Sequence, residues 1–181
     1  KDHFMTISPD EGSMSRAIYL ANVLGVDMGM YYKRLDYSRY VNGRHPIAAY
    51  EFLGPKLEGK DMIIIDDMIS SGDTIIKIAS LLKEKGAGKV YICSTFGFFT
   101  DGLEKFDEAH KKGYFDKLLT TNLVYQSPEL LEKPYYISCD MSKYIALIID
   151  TLNHDTSVSH LLNPVDRIKR CVNNYMSQYE K

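Results

Sequence analysis

Two adjacent carboxylates, Asp66 and Asp67, follow the most apolar run of the chain, Met62-Ile63-Ile64-Ile65, and lead into Met68-Ile69-Ser70-Ser71-Gly72-Asp73-Thr74. Paired acids suit a polyol or a hydrated divalent cation better than a phosphate. The residues after them have the opposite preference: Gly72 lets the backbone approach an anion closely, and Ser70, Ser71 and Thr74 add hydroxyl donors. A helix opening near Ile75 would contribute its free N–H groups and the positive end of its dipole. Together these parts describe a holder for a sugar phosphate. Each residue alone has a plainer use, since Ser70, Ser71 or Asp73 can cap a helix and acids can end a strand in solvent. The coincidence of apolar strand, paired acids, small loop and amphipathic helix is what points to function.

The elements that must position this run are legible around it. Strand-like segments, rich in β-branched and aromatic residues, occur at 3–8, 28–33, 62–65, 90–95, 118–125 and 135–139. Between most of them lie helical patterns: Met14, Ala17, Ile18, Ala21 and Leu24; Ile75, Ile78, Ala79 and Leu82; Met141, Tyr144, Ile145, Ile148, Ile149 and Leu152. Gly25 and Gly86 sit where two helices should end, and Asp140 or Ser142 can cap a third. Strand alternating with helix predicts an α/β fold of three layers, a mostly parallel sheet flanked by helices. In such a sheet ligands bind outside the carboxyl ends of the strands, where the acid pair falls. A last helix is predicted from Asn163 as cap and Pro164 at its first position, with Val165, Ile168, Val172, Tyr175, Met176 and Tyr179 on one face. The expected organisation is a domain over 1–162 with a helical extension over 163–181. The polar stretch 33–44 has little periodicity and is the candidate for a mobile loop.

The length of 181 residues fits one domain at about 150 residues per domain. With 22 basic and 24 acidic side chains, the net charge of -2 gives no reason to expect nucleic acid or an anionic membrane as a general partner. No run approaches the roughly 18 apolar residues of a membrane span. Three widely spaced cysteines, Cys93, Cys139 and Cys171, argue against a disulfide framework and for a cytoplasmic setting. The five histidines lack a zinc spacing. Lys85-Gly86-Ala87-Gly88-Lys89 misses the leading glycine and trailing hydroxyl of a nucleotide loop and is expected to be a helix-ending turn. The Phe96 to Phe99 cluster suits core or interface better than base stacking. The chain opens on Lys1, with neither initiator methionine nor signal peptide, which suggests an internal starting point.

The run Ile65-Asp66-Asp67-Met68-Ile69-Ser70-Ser71-Gly72-Asp73-Thr74 resembles the signature that binds phosphoribosyl pyrophosphate (PRPP) in type I phosphoribosyltransferases and ribose-phosphate pyrophosphokinases. Ser8-Pro9-Asp10-Glu11-Gly12 with Arg16-Ala17, Lys33-Arg34 after an aromatic strand, and Thr156-Ser157-Val158-Ser159-His160-Leu161-Leu162 are similar to the C-terminal half of the pyrophosphokinases. The resemblance covers about Met5 to Leu162 and implies a type I phosphoribosyltransferase-like fold. It implies that Asp66 and Asp67 hold the ribose hydroxyls, and that Ser70, Ser71, Gly72, Asp73 and Thr74 wrap the 5-phosphate. Asp10 would bind or orient Mg2+. Lys33, with Arg34, would sit in a closing loop and stabilise charge as diphosphate passes from ATP to ribose 5-phosphate, giving PRPP and AMP. A homo-oligomer and a missing N-terminal half of the same protein are further implications.

Departures from the pattern stand beside these matches. Leu35 replaces the second arginine of a K-R-R run, so Arg34, Arg39 or Arg44 would have to substitute for it. Ser70 replaces an acid, Asp73 replaces a small residue, and Phe96 stands where a histidine is usual. Asp73 would repel a phosphate unless it turns away as a cap or engages a metal. Two other functions use the same parts: a stand-alone phosphoribosyltransferase acting on a nucleobase, and a non-catalytic regulatory subunit that keeps the fold.

Overall fold

Seven strands make one sheet in a computed structural model that describes residues 3–40, 43 and 45–179. They are β1 (Phe4–Ser8), β2 (Asp27–Leu35), β3 (Ile47–Leu53), β4 (Asp61–Ile69), β5 (Val90–Gly97), β6 (Lys117–Thr121) and β7 (Tyr136–Cys139). Their spatial order is β3-β2-β1-β4-β5-β6-β7, parallel throughout except for the β2–β3 pair. The helices are α1 (Met14–Leu24), α2 (Asp73–Glu84), α3 (Glu104–Lys111), α4 (Pro128–Leu131), α5 (Ser142–Asn153), α6 (Ser159–Leu162) and α7 (Val165–Tyr179), with a 3-10 turn at Glu11–Ser13.

The central position of β4 follows from its composition. A run apolar on both faces is stable only between two parallel neighbours with helices above and below, and β4 lies between β1 and β5. Met5, Ile7, Met62, Ile64, Val90 and Ile92 are fully buried in one core with Ile75, Ile78 and Leu82 of α2 and Phe106 of α3. Burying each such side chain contributes about 1.5–3 kcal/mol. Thr6 alternates with Met5 and Ile7 and so faces the other way, where its hydroxyl donates to the Ala17 carbonyl of α1 at 3.2 Å. Helices therefore cover both faces, and the predicted three-layer α/β architecture is observed.

Several boundaries differ from those the periodicity predicts. Strand β4 continues past Ile65 through both acids to Ile69, pairing Asp66 with Ser94 and Ile69 with Gly97. Ile69 is 2% exposed. Strand β3 pairs antiparallel with β2 in a segment with no strand expectation, and its Tyr50 and Phe52 pack on the core. The predicted strand at 118–125 stops at Thr121, whose hydroxyl instead donates to the Thr95 carbonyl at 2.6 Å. Helix α3 buries only Phe106 and Ala109, too few apolar positions to show a period.

The chain packs as two units, 1–139 and 140–181. In the second, the Tyr144 hydroxyl donates to the Leu161 carbonyl at 2.7 Å, and Arg167 donates to the carbonyls of His160 and Leu161. Helices α5 and α6 thus group with α7, whereas the sequence places a boundary at 162. Asn163 caps α7 as expected, its Oδ1 accepting from the Val165 N–H at 3.2 Å. Among the described residues no helix is long and apolar enough to cross a membrane.

Candidate functional site

The sheet reverses its winding between β1 and β4. The connection from β1 moves to β2 on one side, while β4 leads to β5 on the other, so the carboxyl ends of β1 and β4 diverge around a crevice. That crevice is a cleft of about 150 Å³ lined by Asp10, Asp66 and residues 68–75. Asp10 arrives just past β1, Asp66 on the last turnings of β4, and the loop residues on the way into α2.

The acids differ in their surroundings. Asp66 Oδ1 accepts from the Ser13 hydroxyl at 2.6 Å and from the Asp67 amide at 2.9 Å. Burial pushes the Asp66 carboxyl above its ordinary range, the hydrogen bonds from the Ser13 hydroxyl and the Asp67 amide opposing, and the interaction with the Asp67 carboxyl and the nearby Asp10 charge adding. Burial also works against ionisation at Asp67, but the hydrogen bond with Asp66 and the Arg16 guanidinium, 3.1 Å from Asp67 Oδ2, outweigh it and hold that carboxyl below the usual range. Asp10 accepts from the Gly12 amide at 3.0 Å with Oδ1 and pairs with Lys33 Nζ at 3.0 Å through Oδ2. A half-buried carboxylate short of positive charge, with a second acid beside it, fits a hard divalent cation. Mg2+ is typically held by one or two carboxylates and completed by substrate phosphates and water. Among the described residues no group of three or more His, Cys, Asp or Glu side chains could by itself hold a metal ion.

Lys33 and Arg34 lie on β2, inside the β2–β3 hairpin, where the sequence suggests a loop. Neighbouring residues of a strand face opposite ways. Lys33 turns to Asp10, while Arg34 Nε sits 2.9 Å from Glu51 Oε1 on the other face. The two cations do not converge in this arrangement. The connection beyond β2 carries its own bonds: Asp36 N–H donates to the Pro46 carbonyl at 2.8 Å, and His45 contacts the Arg39 carbonyl at 2.7 Å. Arg44 lies outside the described residues.

The segment from Ser70 to Thr74 opens α2. Gly72 is its N-cap at φ 87°, with no side chain to satisfy the first-turn amides, and the first intrahelical bond runs from Ile76 N–H to the Gly72 carbonyl at 3.0 Å. The Asp73 N–H before it reaches Ser71 Oγ at 3.4 Å, and the Thr74 and Ile75 amides are first-turn donors that the helix itself does not satisfy. Glycine is required twice over here, since a Cβ would also come within 2.2 Å of the Phe106 ring. Asp73 Oδ2 accepts from the Ser71 hydroxyl at 2.8 Å, and Oδ1 pairs with Lys105 Nζ at 2.8 Å. The carboxyl is held below its usual range by the hydrogen bond from Lys105, then by that from Ser71. From the β5–α3 connection, Thr100 N–H donates to the Ser70 carbonyl at 3.0 Å and Phe98 N–H to the Ile69 carbonyl at 2.8 Å.

Three contributors carry no advance signal: Ser13 under Asp66, Phe106 beneath Gly72 and Lys105 beside Asp73. Each is distant in sequence from its partner. The unexpected charge at Asp73 is the one pointer to a compensating cation.

Residues 49–163 match the family model described as phosphoribosyl synthetase-associated domain. A ribose-phosphate pyrophosphokinase of Thermococcus kodakarensis is 33% identical over 121 residues, 66% of this chain and 39% of that protein. One from Shewanella oneidensis is 30% identical over 163 residues, 90% of this chain and 49% of that protein. The chain therefore spans about half or less of the length of these relatives. In fold it is similar to the crystal structure of phosphoribosylpyrophosphate synthetase from Mycobacterium smegmatis, with a TM-score of 0.70 and 22% identity, over 85% of this chain and 46% of that one.

Proposed function

Because the chain belongs to the phosphoribosyl synthetase-associated domain family, we propose that it is the sugar-phosphate-binding half of a ribose-phosphate pyrophosphokinase, which transfers diphosphate from ATP to ribose 5-phosphate to give PRPP and AMP. The observation that supports this best is the juxtaposition in one cleft of the Asp66 carboxylate, with Asp67 next to it in sequence, and a helix N-terminus suited to a phosphate. Asp66 and Asp67 accept hydrogen bonds from the ribose hydroxyls. The hydroxyls of Ser70 and Thr74 and the first amides of α2 take the 5-phosphate, the one proton of the Ser71 hydroxyl being committed to Asp73. The anomeric oxygen then faces the Asp10–Lys33 end of the cleft.

Transfer forms a bond from that oxygen to the β-phosphorus of ATP as the anomeric hydroxyl gives its proton to solvent, and breaks the bond from the β-phosphorus to the bridging oxygen, which leaves on the α-phosphate as AMP. Such chemistry needs positioning and aimed positive charge more than a covalent nucleophile. Lys33 supplies the charge once released from Asp10, and Arg34, held by Glu51 on the other strand face, takes no part. Mg2+, held through Asp10 and the substrate's phosphates, would supply charge neutralisation of the transferring group. In this reading the nucleoside of ATP is bound by a region equivalent to the half of the relatives that this sequence does not span, and assembly into a cytoplasmic homo-oligomer belongs to the same proposal.

The test is calorimetric titration of ribose 5-phosphate into this chain and into Asp66→Asn/Asp67→Asn. The double variant should weaken binding by at least about a hundredfold, two or more hydrogen bonds to charged acceptors being lost. Equal binding by both proteins would remove the acids from the site and with them the assignment.

A further inference from the structure

We infer that Lys105, which lies outside the cleft, is a positioning residue for phosphate: it cancels the carboxylate of Asp73 so that the loop opening α2 can accept an anion. The inference rests on the sugar-phosphate reading of that loop and deepens it.

Asp73 lines the cleft with Ser70, Ser71, Gly72 and Thr74, at the first position of α2, among the amides a phosphate would use. An uncompensated carboxylate there would repel the anion and compete with it for the same amides. Its two oxygens are otherwise engaged, Oδ2 by the Ser71 hydroxyl and Oδ1 by Lys105 Nζ, both at 2.8 Å. Lys105 is in turn held from the far side by Asp101 Oδ2 at 3.1 Å. This second acid, four residues before it on the connection that leads into α3, fixes the ammonium between two carboxylates. With 29% of its side chain exposed, Lys105 is the best shielded of the three, against 73% for Asp73 and 53% for Asp101. The cation therefore has two preset partners on the protein side. Its effect on a ligand runs through Asp73, by keeping that carboxylate turned from the amides and neutralised.

The role separates from a direct phosphate contact and from a purely structural tie by a charge-rescue experiment. Lys105→Met, Asp73→Asn and Asp73→Asn/Lys105→Met are compared by calorimetric titration of ribose 5-phosphate, with thermal melts to establish that each variant is folded. Lys105→Met should bind about tenfold more weakly, because Asp73 is then an unopposed anion. The double variant should recover to within about threefold of wild type, because the liability is removed with its remedy. Failure of the double variant to recover would overturn the inference in favour of a direct contact or a structural tie, as would unchanged binding by Lys105→Met. If wild-type protein itself binds no ribose 5-phosphate, the sugar-phosphate reading falls and this inference with it; binding by wild type with no Lys105 effect removes this inference alone.

Discussion

Helix α2 carries a glycine in the left-handed region at each end, and the two turns have opposite uses. Gly72 at the start has φ 87°, and Gly86 just past the end has φ 84°. At the start the N-cap Gly72 offers no side-chain cap, and the first turn opens on the acid-lined cleft. At the end the orphan carbonyls are closed within the chain: Gly86 N–H donates to the Lys83 carbonyl at 2.9 Å, and Ala87 N–H to the Leu82 carbonyl at 3.0 Å. Lys83 also reaches the Gly88 carbonyl. The second turn, flanked by Lys85 and Lys89, looks more like a phosphate loop in composition than the first does. Which end of the helix the glycine occupies, and whether its neighbours already satisfy the backbone, decides which turn can take an anion.

Substituting the two glycines should break the symmetry. Gly72→Ala meets both an unfavourable φ and the buried Phe106 ring, so it should cost about 2–5 kcal/mol and lower Tm by roughly 5–15 °C, with sugar-phosphate binding lost. A melt unchanged by this substitution would contradict the packing described. Acidification should come next in size. A carboxyl whose pKa is raised in the folded state adds stability below its ordinary value and loses it as pH rises through the folded pKa, so Asp66 gains a proton early on acidification while the fold persists. Asp67, with its lowered value, adds stability above its ordinary pKa and loses it only as pH falls further. Ribose 5-phosphate affinity should therefore decline above the usual carboxylate range before unfolding begins. Asp66→Asn, which retains the ligand phosphate's own titration, should lack that component in parallel titrations across pH.

The smallest effect belongs to the other turn. A Cβ at Gly86 would meet Glu58 Cγ at 3.3 Å, with Cβ and Cα of the same residue in ordinary contact, a far smaller clash than the 2.2 Å at Gly72. Gly86→Ala should then cost about 1–2 kcal/mol for its backbone conformation alone and leave ribose 5-phosphate binding unchanged within error. A binding loss equal to that of Gly72→Ala would erase the distinction between the two ends.

Much of this was legible in the order of residues, and the exceptions have physical causes. The strand–helix alternation carries the three-layer fold because its periods are long and its interruptions are glycines. Ile69 escaped because acids are poor strand formers, yet Asp66 and Asp67 lie within β4, where Asp66 Oδ1 and Asp67 Oδ1 accept from the next amides. Lys33 and Arg34 fall where the predicted strand 28–33 gives way to a polar stretch, because β3, their pairing partner, is an edge strand with no strong alternation. The Asp66–Ser13 and Asp73–Lys105 pairs are long-range contacts, invisible to any local pattern. The resemblance could not show that Arg34 pairs with Glu51 on the strand face opposite Lys33 or that Asp73 already has a counter-ion.

The most direct test of the account is a titration of ribose 5-phosphate followed by amide resonances of the isotopically labelled chain. The expected result is a saturable set of shifts at Asp66, Asp67 and residues 70–75, with Gly86 to Lys89 unmoved. Shifts centred on Gly86 to Lys89, or spread evenly over the surface lysines with no saturation, would contradict the assignment of the anion site to the start of α2.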